Sequence, residues 1–142
     1  MATTSQPQDI RAYLELLFGG VIDDAGRFTS GQLPIWNKAT TLTAWCQTLD
    51  EAVSTLQAAS DAGQDAYFHV ALHDPEIALR AALHRKGMPE GSLPLEKVRG
   101  HVESATAIVG LWLDEDHAEG DHKQSNLPPN MPAVLEYLGK VP

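Results

Sequence analysis

Cysteine is nearly absent. Of 142 residues only Cys46 carries a thiol, which excludes an internal disulfide and any multi-cysteine zinc site. A reducing, cytoplasmic setting is the expectation that goes with it. No run approaches the roughly 20 apolar residues needed to cross a bilayer, so no membrane partner is expected. The opening "MATTSQPQD" has neither the basic region nor the apolar core of a secretory signal. Basic residues are scarce as well. Lys and Arg number 10 against 19 Asp and Glu, for a formal net charge of −9. Nucleic-acid binding uses Lys and Arg to neutralise phosphates and release counterions. The balance therefore argues against a large DNA-binding surface, though not against a site whose acids carry metal ions. There is no P-loop, no glycine-rich dinucleotide fingerprint and no Ser-His-Asp pattern. Internal repeats, low-complexity tracts and heptads are also lacking.

What is present suits one globular domain. Apolar residues make up 43% and charged residues 20%, enough for a real core at this length. Residues 1–8 are polar and expected to be disordered. Asp9 is placed to cap a first helix with Ile10, Tyr13, Leu14 and Leu17 on one face, ended by "FGG". Val21 to Phe28 suits a short hairpin around "DDAGR", and "LPIWNKATTLTAWC" reads as extended. Asp50 to Ala62 is the clearest helix, with Ala52, Val53, Leu56 and Ala59 at helical spacing and Gly63 at its end. "AYFHVALH" reads as a strand, "PEIALRAALHRKG" has helical composition, and "MPEGSLP" is loop. "TAIVGLWLD" is the best buried strand, "HAEGDHKQSNLPPN" a loop, and Pro132 to Leu138 a final helix. Strands separated by helices point to an α/β or α+β domain over residues 9–142.

The end of that last strand carries the chemistry. Asp114, Glu115 and Asp116 follow the apolar run directly. In a strand alternate side chains share a face, so Asp114 and Asp116 point together, about 7 Å apart. Two carboxylates so placed repel each other unless a cation lies between them. Magnesium and manganese take carboxylates, water and substrate phosphates as ligands. In two-metal sites such acids clamp the attacking and leaving oxygens of an in-line displacement at phosphorus. A solvated acidic turn is the plainer alternative. His117 and His122 nearby suit a surface loop, and "DHAEGDH" is not a recognised zinc spacing.

An ordered set of segments adds to this. Arg99-Gly100 is followed by Leu111-Trp112, Asp114 and Asp116, His122-Lys123, and Leu127-Pro128-Pro129. Upstream stands a "G-x-D-x-Y-F-x-V" stretch through Gly63, Asp65, Tyr67, Phe68 and Val70. Together they resemble the first catalytic motif region of the archaeo-eukaryotic primase superfamily. The closest subset is the primase-polymerases of phages, plasmids and integrated elements, including the plasmid RepB-type primase domain. The likeness spans roughly residues 50–139. It implies an RRM-like catalytic fold, helices packed on a mixed sheet, that adds nucleoside monophosphates to a growing strand. It further implies Asp114 and Asp116 as catalytic ligands of Mg2+ or Mn2+. Arg99, Trp112, His122 and Lys123 are its implied contacts to nucleotide or template. Glu115 departs from the hydrophobic residue usual between the aspartates. The family's later motifs, a phosphate-contacting histidine and a third aspartate, lie beyond Pro142. The resemblance is thus to the N-terminal portion of such a domain, inactive alone. Its partners would be nucleoside triphosphates and single-stranded DNA, with the C-terminal half or another replication protein. The other readings are a non-catalytic interaction module, suggested by the charge of −9, and, more weakly, a metal-dependent hydrolase using Asp114, Asp116, His117 and His122.

The remaining candidates have plainer readings. Arg80, Arg85, Lys86 and Lys97 suit solvated charge, while Arg99 falls in the Arg-Gly pair. Trp36, Trp45 and Tyr67 could stack on bases, but aromatics in strands are more often core. Cys46 is expected to be a small buried apolar residue.

Overall fold

A computed structural model of the chain describes residues 7–109. They form an α+β fold of three helices and two small antiparallel sheets. None of the described helices is long and apolar enough to cross a membrane.

The first helix, α1 (Pro7–Phe18), starts before the expected cap, so Asp9 lies within its first turn. A carboxylate there still complements the positive end of the helix dipole. Pro7 and Gln8 are helical where disorder was expected; residues 1–6 lie outside the described range. Leu14 and Phe18 are fully buried. The "DDAGR" stretch closes a loop, since Ile22 and Phe28 form an isolated antiparallel bridge. The Asp23 carboxylate accepts the Ala25 and Arg27 backbone N–H groups at 3.0 and 2.9 Å.

Strands β1 (Leu33–Asn37) and β2 (Leu42–Cys46) make a hairpin. Its turn is held by the Asn37 side chain, which accepts from Ala39 and Thr40 N–H. Helix α2 (Leu49–Asp61) begins one residue earlier than Asp50 because Thr48 caps it. Thr48 Oγ1 accepts from the Glu51 N–H at 3.2 Å, and the Glu51 carboxylate accepts from the Thr48 N–H at 3.3 Å. This is a capping box. Gly63, at φ +64, ends the helix. Helix α3 (Pro75–Lys86) has Asp74 as its cap and Gly87 in the left-handed conformation after it. His84, Arg85 and Lys86 fill its last turn, where cations offset the negative dipole end.

"AYFHVALH" is not one regular strand. It divides into β3 (Ala66–Phe68) and β4 (Ala71–His73). β3 pairs with β1, Ile35 opposite Phe68, and Gln32 just before β1 bridges His73. Between these two pairs, two residues on one side, 33 and 34, lie opposite four on the other, 69–72. His69 and Val70 belong to neither strand, so the ladder is interrupted there. β4 then pairs with β5 (Ala105–Ile108). β5 alternates between partly buried and exposed residues, with Ile108 70% exposed. Its described part is therefore a half-covered strand rather than the buried one expected. Residues 110–142 lie outside the described range, and with them the expected loop and the helix at 132–138.

The alternation of β1–β3 divides the sheet's faces. Leu33, Ile35, Cys46 and Phe68 turn inward to Leu14, Phe18, Ala52 and Val53 of α1 and α2. Phe18 packs its ring against Phe28 and Phe68, with centroids 5.8 and 6.2 Å apart. A second cluster, Ala78, Ala82, Leu83, Leu93 and Val98, sits under α3. Cys46 is 2% exposed, as expected of a small apolar residue, and burial raises its thiol pKa.

Candidate functional site

The outward face of the same strands carries a different set. Register sets Thr43, Trp36 and Tyr67 in one row across β2, β1 and β3. Pro34 and Trp45 form the neighbouring pair. Trp45 belongs to the core, packing on the second cluster and donating its indole N–H to the Leu95 carbonyl at 3.2 Å. Trp36 is half-buried and Tyr67 is 51% exposed. The core reading holds for Trp45 and fails for Tyr67, because the two helices cover only the opposite face.

Arg99 lies on this row. Its guanidinium carbon is 3.3 Å from the Trp36 ring centroid, a cation–π contact. Trp36 and Tyr67 are themselves 5.7 Å apart. The Arg99 backbone is pinned on both sides. Val98 is 1% exposed in the second cluster. Gly100 is buried against the His73 imidazole, where an added Cβ would come within 2.8 Å of ring atoms. So the Arg-Gly pair has a local reason: glycine lets the chain lie on His73, and arginine covers Trp36.

Between these residues is a cavity of about 350 Å³, lined by Pro34, Trp36, Thr43 and Tyr67 on the sheet and by Lys38, His69, Arg99 and Gly100 at its edge. Two features mark it. The described lining has two cations and no carboxylate, in a chain of net charge −9. Among the described residues Lys38 pairs with Asp65, outside the lining and 3.6 Å away, with both side chains largely exposed; such a pair contributes little. The second feature is Thr43. It is 4% exposed, and its hydroxyl has no hydrogen-bond partner among the described residues. A buried polar atom left so costs stability unless something satisfies it. A larger groove of about 480 Å³ runs between α1, α2 and β3, but its described lining holds no Lys, Arg or His.

A chain of polar groups leads inward from the cavity's edge. His69 Nδ1 is 2.9 Å from His73 Nε2, and His73 Nδ1 is 2.9 Å from Ser104 Oγ. Ser104 Oγ accepts the His101 N–H at 3.1 Å and lies 2.9 Å from the His101 carbonyl, to which it can donate. His69 is exposed at the cavity's edge, while His73 is 3% and Ser104 0% exposed. Burial, and then the neighbouring His69, push the His73 pKa down to about 4. His69 is lowered by desolvation and by the charges of His101 and Arg99. His101 is lowered by desolvation and by Arg85 and Arg99, against the opposing charge of Glu103. At neutral pH the imidazoles of this chain of contacts are uncharged and act as hydrogen-bonding groups.

Of the residues singled out in the sequence, Arg99 and the Tyr67-Phe68 strand are brought together here. Asp114, Asp116, Trp112, His122 and Lys123, with His117, lie outside the described residues. Among the described residues no group of three or more His, Cys, Asp or Glu is placed to hold a metal ion. Arg80, Arg85, Lys86 and Lys97 are exposed, as solvated charge would be, and Arg85 pairs with Glu103 at 3.7 Å. The His69, His73 and Ser104 set was missed. Its only sequence signal is His-x-x-x-His within a strand-like stretch, which puts both rings on one side. No family model, no curated protein and no solved structure matches this chain.

Proposed function

We propose that this chain is part of a primase-polymerase-type domain for metal-dependent nucleotidyl transfer. The cavity on the outward sheet face takes the nucleotide. One observation carries the reading: the Arg-Gly pair and Tyr67 of the Tyr-Phe strand, more than 30 residues apart in sequence, line one cation-edged cavity whose described lining holds no acid. Its parts suit a nucleoside phosphate. The exposed Tyr67 ring can stack on a base, while Arg99, held on the Trp36 ring, and Lys38 donate to phosphate oxygens. Thr43 offers a hydroxyl that lacks a partner among the described residues. Asp114 and Asp116 would hold Mg2+ or Mn2+ in this reading, and the ions would supply charge stabilisation for displacement at phosphorus. Arg99 and Lys38 orient the phosphates and neutralise part of their charge. The cavity is local, so it does not require the broad basic surface that the composition argues against.

Calorimetric titration of ATP, with and without Mn2+, tests this. The expected result is saturable ATP binding that Mn2+ strengthens. Asp114→Asn/Asp116→Asn should lose the Mn2+ increment, and Arg99→Ala should lose about tenfold in affinity, the worth of one charge-assisted contact. ATP binding unaffected by Mn2+ and by both variants would overturn the reading and favour the non-catalytic interaction module.

A further inference from the structure

We propose that His69, His73 and Ser104 form a tautomer relay that presents a neutral N–H from His69 to an anionic ligand in the cavity. The inference rests on the cavity's being a nucleoside-phosphate site, and it adds the groups that adapt that site to its ligand. His69 makes the direct contact; His73 and Ser104 are positioning residues that act through it.

The contacts allow two proton arrangements. In the first, the Ser104 hydroxyl donates to the His101 carbonyl. His73 must then donate from Nδ1 to Ser104 Oγ, and His69 from Nδ1 to His73 Nε2. That leaves His69 Nε2 as a bare acceptor, which repels a phosphate oxygen. In the second, the Ser104 hydroxyl turns to His73 Nδ1. His73 then donates from Nε2 to His69 Nδ1, and His69 carries its proton on Nε2. The rings occupy the same places in both arrangements: one proton is taken from water at His69 Nε2, the His69 Nδ1 proton passes to His73 Nε2, and the His73 Nδ1 proton is returned to water, so the proton count is unchanged.

The empty cavity favours the first arrangement, because it keeps one more hydrogen bond. The second gives up the Ser104 contact to the His101 carbonyl. That carbonyl is not orphaned, since it also accepts the Ser104 backbone N–H at 2.9 Å. An anion in the cavity regains the lost bond through His69 Nε2–H. Neutral donation suits a ring whose surroundings disfavour the imidazolium form: Arg99 and His101 face it, and Arg85 stands behind His101. The geometry is held from outside the relay as well. Gly100 leaves room for the His73 ring, and Ser104 is fixed by its own turn, Val102–Ser104.

The test is long-range ¹H–¹⁵N NMR of histidine-labelled full chain, which reads the tautomer of each ring, titrated with ATP in EDTA. Without metal, the result does not depend on Asp114 or Asp116. The expected outcome is a change at His69 from the Nδ1–H to the Nε2–H tautomer on saturation, with the same change at His73. His69→Leu, at an exposed position, should weaken ATP by about tenfold, and His69→Gln, whose amide also donates, should restore affinity to within about threefold. ATP binding that depends on Arg99, with no tautomer change and no loss in His69→Leu, would overturn the relay and spare the site. No ATP binding by the wild-type chain would overturn the site itself, and the relay with it.

Discussion

The two faces of the β1–β3 sheet are built from the same few residues of chain and do opposite things. Inward, Leu33, Ile35 and Phe68 meet α1 and α2 in a closed apolar core. Outward, Pro34, Trp36 and Tyr67 face away from α1 and α2, and among the described residues Arg99 and Gly100 approach them. Alternation along a strand turns one ladder into two surfaces. With both helices on one side, the other carries the cavity. The inner face is held by area removed from water, and its cost of change is a stability cost. The outer face is held by directional contacts, so its changes should be read in binding and proton position.

The largest test of that division is Phe18→Ala. Phe18 is fully buried between Phe28 and Phe68, and truncation should cost about 3–5 kcal/mol in urea unfolding. A loss under 1 kcal/mol would mean that the inner face is not the core described here.

Acid comes next. The folded-state pKa of His73 is lowered to about 4, below its ordinary value near 6.5. Between these values the unfolded chain binds the proton and the folded chain does not. The stability that His73 contributes is full above about pH 6.5 and is lost as pH falls toward 4. The loss is on the order of 3 kcal/mol. A urea-unfolding series from pH 7 to 4 should show it, and His73→Gln should flatten the part of the slope above pH 5. An unchanged slope would mean that His73 is protonated or solvated in the folded state.

Gly100→Ala separates the faces most cleanly. The new methyl would meet the His73 ring at 2.8 Å, at a cost of about 1–3 kcal/mol for overpacking. It should also shift the imidazole signals of His69 and His73 while leaving the amide signals of α1 unmoved. The smallest expected effect is Thr48→Ala, which removes the α2 cap at about 1 kcal/mol and should leave ATP affinity unchanged.

Much of the helical frame was legible in the sequence, because helix signals are local. Asp74-Pro75 and Gly87 bound α3, and Gly63 ends α2. The start of α2 is also written locally, as Thr48-x-x-Glu51, and the helix begins at Leu49, one residue before the expected Asp50. The break at His69-Val70 was not legible, since only pairing with Gln32 and Ile35 defines it. The outer face was half legible. Arg99-Gly100 stood out as a motif, yet its partners Trp36 and His73 lie far away in sequence. The burial of Trp45 and the exposure of Tyr67 depend on where α1, α2 and Leu95 pack, which no single-strand pattern encodes.

The central claim is that the outward face is a nucleotide site. Its most direct test is an ATP titration of the ¹⁵N-labelled chain, following the indole N–H signals of Trp36 and Trp45. The account predicts that the Trp36 signal moves with saturation, and that Trp45, hydrogen-bonded to Leu95 in the core, stays in place. A Trp36 signal that does not move, or one that moves no more than Trp45, would contradict it.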